Sequence, residues 1–209
     1  LIDVASIGAL CKTHHALFHS DTVQSIGHFE WNAEEISIDF MTAAAHKFHG
    51  PKGIGFAYIR KNSGLKPLIV GGSQERGFRA GTEPYHNIVG LEEAFIAAYE
   101  NIADEKAYVS ELKRYFVERI QAEIPGVAFN GYSGDTEKST YTLTNVRLPF
   151  DTQKSLMLLF HLDIKGIACS KGSACQSGSA KGSHVLQDIL PEEVLENPSL
   201  RFSYSKYNT

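Results

Sequence analysis

Several short stretches carry side chains whose types and spacing suit covalent or anion chemistry. The densest is Ala43-Ala-Ala-His46-Lys47-Phe-His-Gly50-Pro-Lys-Gly-Ile-Gly55. A strand runs into three small residues that let a bulky group approach the backbone. His-Lys follows, then a Gly-Pro-Lys-Gly turn into another strand. A lysine at the end of a strand, beside an aromatic or anionic group, is a candidate imine former. Any one lysine is far more often a solvated surface charge. Here the flanking pattern, not Lys47 alone, shifts the balance. A second stretch, Asp21-Thr-Val-Gln24, directly follows an apolar run. A carboxylate at the carboxyl end of a strand points into the crevice where α/β sheets bind ligands. It also serves as a cap for the residues after it, and the two roles are compatible.

A carboxylate in that crevice can hold a protonated pyridine nitrogen. Gln24, one turn on, can bond a phenolic oxygen. Together these are what a protein supplies to use pyridoxal 5'-phosphate as an electron sink. A third stretch, Ser170 to Ser183, is rich in Gly, Ser and Ala and contains Cys175, with Lys171 and Lys181 as nearby cations. A mobile thiol near basic groups can act as a nucleophile. Cys169, after Gly166-Ile-Ala, instead has the apolar neighbours of a structural cysteine. A fourth stretch is Gly71-Gly-Ser-Gln-Glu-Arg76-Gly-Phe-Arg79-Ala-Gly-Thr82. Gly72 to Gly77 has the spacing of a nucleotide-binding loop, but the Lys-Ser/Thr pair and a preceding strand are missing, so an NTPase loop is excluded. Its backbone amides, an arginine and Thr82 can still bind a phosphate. The fifth is Arg201 within Leu200-Arg-Phe-Ser203. An arginine in a half-buried strand needs an anion, either a substrate carboxylate or a structural partner. His15 and His19 are four apart, but no third ligand is near in sequence, so no metal site is expected.

The elements that must position these residues follow from periodicity. Ile2 to Leu10 has helical spacing, continued through His15, with no capping residue at its start. Strands are expected at Ala16–Ser20, Ser37–Met41 and Gly53–Arg60, and a loop over Pro67–Arg79. Asn87–Tyr99 and Asp104–Ile124 carry the 3.6-residue period. Leu91, Ala94, Phe95 and Ala98 share one face; Leu112, Phe116 and Ile120 share another. Pro125-Gly126 ends the second helix. Strands at 127–130 and 142–148, a helix at 152–160, a strand at Gly166–Cys169, a loop over Ser170–Ser183, a helical turn at His184–Leu190 and a strand from Leu200 to Tyr204 complete the reading. The chain then stops at Lys206–Thr209 as if at a helix cap. Both ends read as cut, either because the chain is a piece or because another chain completes it. The first part fits α/β and the second a smaller α+β unit. The boundary lies in the helix at about 85–105, giving domains of 1–90 and 91–209.

The chain has 209 residues, 43% hydrophobic and 21% charged, with a net charge of −4. That composition is ordinary for a globular protein. The acidic balance disfavours nucleic acid as a partner. No apolar run is long enough to span a membrane and the start is not a signal peptide. Three cysteines offer no pairing framework, which fits a reducing cytoplasm with a thiol available for chemistry.

Taken in order, Asp21-x-x-Gln24, Ala45-His46-Lys47-x-x-Gly-Pro-Lys-Gly-Ile-Gly, Gln74-Glu-Arg-Gly-x-Arg-x-Gly-Thr82, Gly-Ser-Ala-Cys175 and Leu-Arg201-Phe-Ser resemble the cysteine desulfurases of the NifS/IscS type. These are fold-type I, class V aminotransferase-like enzymes that use pyridoxal 5'-phosphate. The resemblance spans nearly the whole chain, and the Gly-Ser-Ala-Cys form is that of the group I enzymes. It implies an α/β fold, the C-terminal half of the cofactor-binding large domain (mostly parallel sheet) followed by the small α+β domain. It implies that Lys47 carries the cofactor and moves the α-proton. Asp21 pairs with the ring nitrogen, Gln24 bonds the ring oxygen and His46 binds the phosphate. Thr82 reaches the partner subunit's cofactor in a homodimer, and Arg201 holds the carboxylate of L-cysteine. Cys175 takes the sulfur as a persulfide, leaving alanine, and passes it to an iron–sulfur scaffold or another acceptor. The resemblance also places other cofactor contacts in residues preceding this chain. A serine usual three residues before the lysine is Ala44 here, leaving Thr42 as a possible replacement. The neighbouring readings are selenocysteine lyase or another class V lyase, and an inactive truncated binding or dimerisation module.

Overall fold

A computed structural model describes residues 2–150, 157–171 and 183–209. The described residues form two compact units, Ile2–Ala103 and Asp104–Thr209.

In the first unit, α1 (Val4–Thr13) is capped by Asp3, contrary to the expected bare start. Asp3 Oδ1 accepts the Ser6 N–H at 3.0 Å, and the Ser6 hydroxyl donates to Oδ2 at 2.6 Å. Strands β1 (His19–Asp21), β2 (Phe40–Ala44) and β3 (Gly55–Ile59) form a sheet in that order. β1 and β2 are parallel, with Asp21 opposite Thr42; β2 and β3 are antiparallel. β1 and β2 both start three residues later than the sequence reading placed them. The backbone before each is already committed elsewhere. Ala16 N–H bonds the Cys11 carbonyl at the end of α1, and the Phe18 N–H bonds the Asp39 carboxylate at 2.8 Å. A short helix unseen in the sequence reading, α2 (Ala33–Ile36), is capped by the Asn32 side chain and closed by Ser37 in the left-handed region. Its closure takes the Ile38 N–H back to Ala33. Arg60 then ties α2 to β3, donating to Glu34, to the Ala33 carbonyl and to the Ile38 carbonyl.

The long helix α3 (Tyr85–Glu100) presents the expected face. Leu91, Ala94, Phe95 and Ala98 pack on Ile26, Ala43, Ala45 and Phe48. Phe95 meets Phe48 and Phe56 edge to face, at 6.1 and 5.9 Å between ring centres. Through these contacts α3 belongs to the first unit.

In the second unit, α4 (Ile102–Glu123) follows, with all but its first two residues in this unit. Strands β4 (Ala128–Phe129), β5 (Leu143–Arg147), β6 (Ser170–Lys171) and β7 (Ser199–Ser203) form an antiparallel sheet ordered β4-β5-β7-β6. Phe116 and Ile120 of α4, with Leu158, Leu159 and Leu162 of α5 (Leu158–Ile164), cover Val146, Leu148 and Leu200. The strand expected at Gly166–Cys169 is absent. Gly166, at φ 76°, ends α5, with its N–H on Asp163 and that of Ile167 on Leu162. Those donors are spent on the helix end. The ladder begins only at Ser170, inside the expected loop. Residues 172–182 of that loop, including Cys175, and residues 152–156 of the expected helix lie outside the described residues. α6 (His184–Ile189), capped by Ser183, and α7 (Glu192–Leu195) precede β7. The tail is a closed turn and not a stranded cap. Asn208 Oδ1 accepts the Ser205 N–H, the Asn208 carbonyl accepts the Tyr108 hydroxyl at 2.7 Å, and Lys206 pairs with Glu105 at 3.0 Å.

Candidate active site

Because β1 and β2 are parallel neighbours, their carboxyl ends open at the same edge of the sheet. Asp21 is the last residue of β1. Lys47 and His46 lie on the single 3₁₀ turn Ala45–Phe48 that leaves β2. Gln24 is exposed on the turn that leaves β1. Four candidates therefore gather at one edge, the position where α/β sheets take ligands. Three bonds fasten the two exits together. The Thr22 N–H and hydroxyl both donate to the Thr42 carbonyl, at 3.0 and 2.8 Å. His28 Nε2 lies 3.3 Å from the Lys47 carbonyl.

Each side chain has a local reason for its place. Asp21 Oδ1 accepts the Val23 N–H at 3.0 Å, so it caps the turn that follows β1, where no helix forms. Beneath Lys47 the turn is nailed to the core, with Ala45 0% and Phe48 1% exposed. Lys47 itself is half-buried, and its amine makes no hydrogen bond or ion pair with the described residues. His46 is exposed beside it. Of the three small residues before His46, Ala43 and Ala45 face the core, so their size serves the approach of α3. Only Ala44 lies on the other face. Gly50 completes that approach: a Cβ there would meet Ala45 at 2.8 Å and Ala94 at 3.1 Å. Nearby, Tyr99 of α3 clasps the β1 exit. Its hydroxyl accepts the Gly27 N–H and donates to the Phe29 carbonyl, both at 3.1 Å. His28 and Tyr99 went unnoticed in the sequence, where neither lies in a recognisable spacing.

The remaining candidates sit elsewhere. Thr82 is exposed on the loop ahead of α3. That loop is organised by its own side chains. Arg79 bonds Glu75 at 3.0 Å and the Gly81 carbonyl at 2.7 Å, and Gln74 accepts the Gly81 N–H. Arg79 is thus already occupied. Arg201 lies on β7 in the second unit, opposite Asn145 and Ser170. Its Nε is buried without a hydrogen-bond partner among the described residues. Cys169 packs under the Val146, Leu148 and Leu200 cluster, and burial pushes its thiol pKa up, as suits a structural cysteine. Among the described residues, no group of three potential metal ligands comes together and no helix is long and apolar enough to cross a membrane.

An amine and a carboxylate stand at the exits of adjacent parallel strands, the edge where α/β sheets take ligands, in a chain that continues into an antiparallel α+β unit. The comparisons narrow the class. The family model Aminotransferase class-V matches residues 1–209, and the chain belongs to that family. It is 42% identical over 207 residues to a protein named cysteine desulfurase IscS from Clostridium botulinum strain Kyoto, covering 99% of this chain and 51% of that protein. A solved NifS-like protein from Rickettsia africae superposes with a TM-score of 0.81 at 29% identity, covering 99% of this chain and 53% of its own. A structure described as SspA in complex with cysteine gives 0.75 at 31%, covering 99% and 55%. The expected fold-type I arrangement is what these neighbours share. The chain spans about half the length of the relatives it matches.

Proposed function

We propose that this chain is the lysine-bearing half of a pyridoxal 5'-phosphate-dependent cysteine desulfurase. The observation that carries the reading is the pairing of Asp21 and Lys47 at the exits of β1 and β2. The donor set suits the cofactor. A carboxylate for a pyridinium nitrogen, an amide for the ring oxygen, an imidazole for the phosphate and an unbonded amine for the carbonyl carbon stand at one edge. Asp21, Gln24, His46 and Lys47 would hold it in the unit Ile2–Ala103, read as the carboxyl-end half of the large domain, with Asp104–Thr209 as the small domain; the boundary falls after α3 and not at residue 90. Bound there, the cofactor supplies an electron sink for bonds at the substrate's α-carbon. The Lys47 amine takes and returns the α-proton. The Arg201 Nε, without a partner among the described residues, supports a role in holding the substrate carboxylate. Cys175 attacks the substrate sulfur, so that L-cysteine and a thiol become L-alanine and a Cys175 persulfide. The relative named cysteine desulfurase and the neighbour described with cysteine support this substrate.

In the whole protein we place two such subunits together, with Thr82 of one reaching the cofactor phosphate of the other. The persulfide passes to an iron–sulfur scaffold or another acceptor in the cytoplasm. The test is turnover of L-cysteine by the whole protein. Cys175→Ala is expected to cut alanine and sulfide release by about a thousandfold. Undiminished release would give the role to another thiol.

A further inference from the structure

We propose that His28 is a positioning residue for Lys47, acting through a hydrogen bond from its ring Nε2–H to the Lys47 backbone carbonyl. The inference rests on the reading of Lys47 as the amine that carries the cofactor. The two atoms are 3.3 Å apart and partly buried. A carbonyl only accepts, so Nε2 must carry the hydrogen. His28 stands on the exit of β1, the segment that holds Asp21 and Gln24. Lys47 stands on the exit of β2, beside His46. The bond therefore joins the two segments that carry the gathered candidates.

The turn under Lys47 has need of such a tie. Ala44 gives it no side-chain cap, and His49 closes it in the left-handed region at φ 69°. Ala45 and Phe48 anchor it from below, while the Gly50 N–H bonds the Ala45 carbonyl. Holding the Lys47 carbonyl fixes the peptide plane that follows the lysine, and with it the direction in which the side chain leaves the backbone. His28 is itself presented from a pinned backbone. The Tyr99 hydroxyl bonds Gly27 on one side of it and Phe29 on the other. Gly27, at φ 82°, lies so close to Phe48 that a Cβ would come within 2.5 Å of the Phe48 Cβ. The two exits are thus in direct contact, with no side chain at position 27 to part them. An amine that must meet one carbon and return a proton to another depends on such placement, because small displacements cost rate steeply.

The experiment compares the whole parent protein with His28→Leu and His28→Gln. Each is titrated with pyridoxal phosphate and reduced with borohydride, and the Lys47 peptide is quantified by mass spectrometry. Hydrogen exchange of residues 45–50 is followed in the cofactor-free proteins. The leucine variant is expected to need about five times more cofactor for half-labelling, the worth of one net hydrogen bond. Its 45–50 segment should exchange faster by a similar factor. Glutamine, whose amide can donate to the same carbonyl, should restore most of both. Parent-like labelling in the leucine variant overturns the positioning role and leaves the cofactor reading standing. Equal weakening in both variants also overturns it, since the ring would then act by packing. Absence of Lys47 labelling in the parent overturns the cofactor reading, and the positioning role falls with it.

Discussion

Among the described residues only two lysines are not exposed, one in each unit, and they are held in opposite ways. Lys113, on α4, is fully buried, donating to Ser139 Oγ at 2.5 Å and to the Thr140 carbonyl at 2.7 Å. Burial pushes its ammonium pKa down to about 8, against the opposing pull of Asp135. Lys47 is half-buried and stands on a single 3₁₀ turn, and its amine makes no bond with the described residues. Shifted, desolvated groups often mark functional sites, but structural networks shift them too. In this chain the deeply buried lysine has every sign of a fastener. It sits where α4 would otherwise bury an apolar residue, in phase with Val109 and Val117, and pins the 139–140 segment to the helix. The lysine proposed for chemistry is marked by topology instead: the exit of a parallel strand beside a carboxylate. Stability should therefore follow Lys113, and ligand binding should follow Lys47.

The largest effect expected is on folding. Lys113→Ala leaves a cavity and a buried Thr140 carbonyl without its donor, and should cost about 3 kcal/mol in urea unfolding. Lys113→Met keeps the volume and should cost about 1 kcal/mol, with the lost hydrogen bonds as its main term. Equal stability of the alanine variant and the parent would break the contrast. The second effect concerns pH. With its folded pKa near 8 against an ordinary 10.5, the unfolded chain binds more protons at Lys113 between those values. Stability contributed by this residue therefore rises as pH increases across that window, by up to about 3 kcal/mol, and is constant below it. The difference between parent and Lys113→Met unfolding curves from pH 7 to 10.5 isolates that slope. A flat difference would contradict it. The smallest effect is that of Lys47→Ala on stability, expected within about 0.5 kcal/mol, since no bond and little packing are lost. A loss comparable to that of Lys113→Ala would make Lys47 a fastener as well.

The same contrast explains what could be read from the sequence. Helices α3 and α4 were legible because their apolar faces repeat every 3.6 residues, and Leu91, Ala94, Phe95 and Ala98 pack as that period requires. Arg201 and the Lys47 turn were legible from local pattern, as was Asp21 at a strand end. The starts of β1 and β2 were not, because Asp39 reaches back 21 residues to take the Phe18 N–H. The Asp3 cap is local, with Ser6 at the right spacing, and departs from the uncapped start expected of this helix. Lys113 shows the limit most clearly. Its helical phase is local, but the partners that make it tolerable lie 26 and 27 residues away. His28 likewise acquires meaning only when the β1 and β2 exits come together.

The proposed function turns on Lys47, set at the exit of β2, as the amine that takes the cofactor. The most direct measurement incubates the whole protein with pyridoxal phosphate, reduces it with borohydride and maps the added mass over every lysine. One modified lysine is expected, Lys47, with Lys113 unmodified and no stable adduct in Lys47→Ala. An adduct concentrated on a different lysine, or a Lys47 peptide that stays unmodified, would contradict it.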